Sequence, residues 1–111
     1  MDEMVRPLER LKKIAEKLHV PHGINMYRGN APEFIVYTLE SVSGECYADN
    51  YPTEYTATVK LHYIQPANKS FEQKIFDIID LLIDAGFTHP RADVVYDDDR
   101  IILQFTSEIA L

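Results

Sequence analysis

Cysteine is almost absent from this sequence: Cys46 is the only one. A single thiol excludes an internal disulfide and any zinc knuckle built on several cysteines, and it fits a reducing compartment. Glycine is scarce too, with four in 111 residues, and none falls in the Gly-rich pattern that cradles phosphate. No apolar run approaches the roughly 20 residues that cross a bilayer. The opening stretch, Met1 to Pro7, lacks the apolar segment of a secretory signal, so no export route is visible. Positive charge is in deficit, eleven Lys and Arg against eighteen Asp and Glu, for a net charge of -7. That balance argues against an electrostatic grip on nucleic acid, which needs clustered cations.

What is present is an ordinary globular composition, 46% hydrophobic and 26% charged. The length predicts one domain, residues 1–111, with a modest core. Residues 3–19 read as an amphipathic helix, with Met4, Leu8, Leu11, Ala15 and Leu18 at spacings of three and four. Arg6, Arg10, Lys13 and Lys17 fall together on its opposite side as a basic ridge. Pro21 and Gly23 end that segment.

The body, about 24–107, begins with a strand from Phe34 to Glu40, whose continuous Phe-Ile-Val-Tyr run suits burial on both faces. "SGECYADNYP" reads as a loop. "EYTATVKLHYI" is the cleanest strand: Tyr55, Ala57, Val59, Leu61 and Tyr63 point one way, and Thr56, Thr58, Lys60 and His62 the other. Ser70 and Gln73 have the spacing of a capping box for a second helix rich in Ile, Leu and Phe, and Gly86 is placed to stop it. "ADVVYDDDRIILQFTS" reads as a hairpin with an acidic turn. The order α-β-β-α-β-β predicts an α+β sandwich: a four-stranded antiparallel sheet with two helices packed on one face.

The candidates for chemistry are few. Asp97, Asp98 and Asp99 suggest a divalent-cation site, a docking tip or a turn. Adjacent residues in an extended chain point in opposite directions, and the spacing, glycine and distal Glu of a calcium loop are missing. Asp favours turns, so the turn is the reading taken. His19 and His22 resemble half of a zinc site, but a third ligand is needed from Cys46, His62 or His89. No elbow motif surrounds a serine and no local signature surrounds Cys46. No catalytic residue, metal or cofactor is assigned, and a non-enzyme is expected. The basic ridge and the acidic tip remain, either as solvated surfaces or as complementary patches on neighbouring subunits.

The segments "VPHGINMYRGNAPEFIVYTLES", "EYTATVKLHYI", "IDAGF" and "DVVYDDDRIILQF" are similar in layout to the small tail-completion, or tail terminator and head-to-tail joining, proteins of long-tailed bacteriophages and prophages. The resemblance spans residues 20–107. It implies a non-enzymatic α+β subunit that closes the head-proximal end of the tail tube or joins tail to head. Its partners would be copies of itself in a ring, commonly a hexamer, together with tail-tube and head-connector proteins. It would reside in the virion tail, and in the host cytoplasm before assembly, with no membrane and no sequence-specific nucleic acid as partner. Gln104 departs from the basic residue that such relatives carry before the aromatic of the last strand. The resemblance carries over no functional residue; the interface residues expected from the ridge, the polar strand face and the tip are Arg6, Arg10, Lys13 and Lys17, Thr56, Thr58, Lys60 and His62, and Asp97, Asp98 and Asp99. An acidic ring lumen would repel passing DNA. Two rivals are a small ligand-binding or regulatory α+β domain, which a thermal-shift screen would reveal, and a metal-dependent hydrolase, which metal analysis would reveal.

Overall fold

The computed structural model describes residues 5–48 and 51–111, residues 45–48 and 51–53 by their backbone. The elements are α1 (Pro7–Leu18), β1 (His22–Ile24), β2 (Phe34–Ala48), β3 (Tyr51–Pro66), α2 (Glu72–Asp84), β4 (Arg91–Asp97) and β5 (Arg100–Ala110). The class is α+β, as expected, but the sheet has five strands in the order β1-β2-β3-β5-β4. The expected order of two plus two strands lacks β1, and the sheet is mixed rather than antiparallel. β1 runs parallel to β2, with His22 opposite Ile35 and Ile24 opposite Tyr37. Three residues between Pro21 and Asn25 offer no alternation to read; the neighbour strand makes them a strand. Ile35 N–H donates to the Pro21 carbonyl and Asn25 N–H to that of Tyr37, both at 2.9 Å.

Proline sets where α1 starts. Arg6 is extended (φ −113°, ψ 95°), because the ring of Pro7 disfavours a helical residue before it. The helix therefore begins at Pro7 rather than near residue 3; Met1 to Met4 lie outside the described residues. His19 ends it in the left-handed region (φ 58°). The Ser70–Gln73 capping box does not form, and Phe71 occupies the N-cap without a side-chain bond. Instead the buried Gln65 amide holds the carbonyls of Lys69 (2.8 Å) and Ser70 (3.4 Å), and Gln73 turns to Asp77. Gly86 does stop α2, at φ 97°, where a side chain would be strained.

The expected loop 41–53 is mostly strand. β2 and β3 pair from Val42 opposite Ala57 out to Ala48 opposite Tyr51, while Cys46 lies outside the residues whose side chains are described. Pro52 is tolerated because β5 ends opposite Thr56, so β3 there has a neighbour on one side only. This two-stranded ribbon outruns the rest of the sheet and gives the molecule its 55 Å length against 24 and 23 Å across.

Register assigns the core. Ile35, Tyr37, Val59, Leu61, Tyr63, Ile101, Leu103 and Phe105 share one face of the sheet. Leu11, Ile14 and Ala15 of α1 and Ile78 and Leu82 of α2 complete the same cluster, so both helices cover that face. Burying each large side chain contributes about 1.5–3 kcal/mol. Polar groups enter this layer with partners: besides Gln65, the Tyr63 hydroxyl donates to Glu33, which also binds Lys69, and the Ser107 hydroxyl bonds to Thr88.

Candidate functional site

The three aspartates form a turn. Asp97 pairs with Arg100 across β4 and β5, leaving Asp98 and Asp99 as the loop, with Asp98 left-handed at φ 53°. Asp99 spends its carbonyl on Ala67 N–H at 2.8 Å, and Arg100 Nη2 lies 3.4 Å from Asp97 Oδ2. All three aspartates are exposed. Among the described residues, no three His, Cys, Asp or Glu side chains gather to hold a metal. His19 caps α1, whereas His22 Nδ1 lies 3.3 Å from the Tyr37 hydroxyl.

The basic ridge is not wholly a free outer surface. Arg6, Lys13 and Lys17 are exposed, but Arg10 is half-buried, and its guanidinium donates to the Ala85 carbonyl. That carbonyl ends α2, where unpaired C=O groups and the helix dipole favour a cation. Arg10, Lys13 and Lys17 thus form one wall of a cleft of about 280 Å³, with Leu81 and Asp84 on the other. Arg10→Met keeps the apolar stem and removes the cap, and is expected to cost about 1–2 kcal/mol of stability in urea titration. An unchanged midpoint would show that the cap contributes nothing.

Arg10 and the tip sit at opposite ends of α2. Its first turn follows Phe71, whose ring meets Tyr96 edge-on at 6.5 Å beside the tip, and its last turn meets Arg10. Thirteen residues at about 1.5 Å each separate them by nearly 20 Å. Within one copy the tip does not reach Arg10.

The strand-borne candidates lie together on the sheet face that carries no helix. Thr56, Thr58, Lys60 and His62 alternate with the core residues of β3. His62 lies between Val36 of β2 and Gln104 of β5, and Lys60 between Thr38 and Thr106. Burial, then the charge of Lys60, lowers the His62 pKa from its usual 6.5, so the imidazole is neutral near pH 7. Lys60 also reaches Glu40 at 3.4 Å.

Sequence reasoning missed the apolar part of this face. Phe34, Ile64, Ile102 and Val95 form a row across four strands, with the Tyr27 ring stacked 4.4 Å from Phe34. The continuous Phe-Ile-Val-Tyr run suits a strand buried on both faces, but only Ile35 and Tyr37 are buried, while Phe34 and Val36 on the face without a helix are partly exposed. Sequence reasoning also missed large apolar side chains left uncovered on the other face and on α2, among them Ile24, Leu39, Val42, Tyr55, Phe76, Ile83 and Tyr96.

Nucleophilic chemistry finds no support among the described serines and histidines. Ser107 is buried and bonded to Thr88, Ser41, Ser43 and Ser70 are exposed, and His89 Nδ1 lies 3.2 Å from the Pro90 carbonyl. No helix of the described residues is long and apolar enough to cross a membrane. No protein-family model and no curated protein matches the chain.

Proposed function

We propose that the chain is a non-enzymatic structural subunit of a phage or prophage tail, which closes the head-proximal end of the tail tube or joins tail to head as an oligomeric ring. The observation that carries this reading is a sheet with one face bare of helices and both outer edges largely free. Among the described residues β1 covers only Ile35 to Tyr37 of β2, and β4 has no outer neighbour. Free edges invite pairing, and isolated proteins usually blunt them. Acidic and basic patches at opposite ends add the pairing that a repeating contact between unlike surfaces needs. The sequence resemblance to tail-completion proteins supplies the setting.

Light scattering over a range of protein and salt concentrations tests the reading, alone and with tail-tube and connector proteins. A ring-sized species is expected; a monomer in every mixture would overturn it. The charge contribution is tested separately with Lys13→Glu and Lys17→Glu, because reversing Arg10 would also uncap α2. That pair is expected to weaken assembly about tenfold or more at low salt and to flatten its salt dependence, since exposed charges are screened. Assembly indifferent to the reversal would remove the ridge from the interface.

A further inference from the structure

Two apolar surfaces on this chain are each missing what the other has. The first is a sheet surface without a helix. Leu39 and Val42 of β2 and Tyr55 of β3 lie on the core-bearing face, since Leu39 pairs with buried Val59 and Val42 with buried Ala57. They remain 39%, 48% and 44% exposed because the ribbon runs past both helices. The second is a helix flank without a sheet. Phe76 and Ile83, seven residues apart on one side of α2, are 61% and 42% exposed, and Tyr96 at the β4 edge is 70% exposed. α2 meets α1 on its other side, through Leu81, Asp84 and Ala85.

We propose that the α2 flank of one copy docks on the ribbon of the next, so that Phe76 and Ile83 cover Leu39, Val42 and Tyr55. A helix stripe is buried stably against another apolar layer, and the ribbon is such a layer with its cover missing. The two surfaces lie toward opposite edges of the same sheet face, with β3 and β5 between β2 and β4, so neither covers the other within one molecule. Charge favours the same pairing. Asp77 and Asp80 are exposed on α2. The ribbon surface is bordered by the basic helix: Arg10 and Ile109 both approach Gly86, and Ile109 is in register with Ala57, the partner of Val42. An acidic helix would therefore arrive near Arg10. Because the two surfaces differ, the contact repeats and builds a ring or filament rather than a twofold dimer. The inference rests on the assembly reading above and names its interface.

A complementation experiment tests it. One variant carries Phe76→Lys and Ile83→Lys, the other Leu39→Lys and Val42→Lys, all at exposed positions. Each alone is expected to stay monomeric where the unaltered chain assembles. Mixed in equal amounts they are expected to form a dimer and nothing larger, because one intact flank meets one intact ribbon and both outer surfaces are blocked. The milder pair Phe76→Ala and Ile83→Ala, which retains helix propensity, is expected to weaken assembly at least tenfold with an unchanged unfolding midpoint. Variants that assemble as the unaltered chain does would overturn this interface and leave the ring reading standing. An unaltered chain still monomeric at about 1 mM would also overturn it, and the ring reading would then be decided by the mixtures with tail proteins.

Discussion

Phe105→Ala is expected to lower stability by about 3–5 kcal/mol, the range for removing a buried aromatic ring and leaving part of its volume empty. Phe105 is 1% exposed and stands in the middle of β5, between Leu61 of β3 and Ala92 of β4. Small Ala92 on one side gives collapse little to work with, because no larger neighbour there can swing into the gap. A domain of this size has on the order of 5–15 kcal/mol to lose. The urea midpoint should fall steeply while the slope of the transition stays the same, since the surface exposed on unfolding barely changes. A loss below 1 kcal/mol would mean that the strands shift to fill the space, and the register derived for β3, β5 and β4 would then need revision.

The residues around Phe105 also show which parts of the fold were legible in the sequence. Strands with strict alternation announced themselves: every second residue of β5 from Ile101 to Ile109 is buried, and β3 alternates as expected from Ala57 to Tyr63. The acidic turn and the Gly86 stop rest on local backbone chemistry, which sequence carries directly. Tertiary pairing was not legible. His22–Ile24 is a strand only because β2 lies beside it, and residues 41–48 extend only because β3 mirrors them. The candidate site divides the same way. Periodicity gathered Thr56, Thr58, Lys60 and His62 on one face, but it could not show Arg10 turning to α2, since that contact spans 75 positions in sequence. Nor could it separate Phe76 from Ile78: both are apolar, and only the placement of α2 exposes one and buries the other.

The second large effect concerns Glu33, a carboxylate that the sequence did not single out. Tyr63 is fully buried, and its hydroxyl donates to Glu33 while Lys69 binds the other carboxylate oxygen. Burial and then the Glu33 hydrogen bond raise the Tyr63 pKa, so the phenol stays protonated and needs an acceptor. Burial pushes the Glu33 carboxyl upward, but the hydrogen bonds from Lys69 and Tyr63, with the nearby lysine charges, outweigh it and leave its pKa below the ordinary 4.5. Glu33→Ala strands the buried hydroxyl and is expected to cost about 1–3 kcal/mol at pH 7. Tyr63→Phe in the same chain should recover part of that loss, because the orphaned donor is gone, and a double-mutant cycle measures the coupling. The pH dependence has a definite sign. A carboxyl with a lowered folded pKa binds its proton more readily in the unfolded chain, so its stabilisation is present above about pH 4.5 and is lost as pH falls through the folded pKa. The stability gap between the unaltered chain and Glu33→Ala should therefore narrow on acidification below pH 4.5. A gap that stayed constant down to pH 2 would show that the carboxylate charge has no part in holding Tyr63 and Lys69 together.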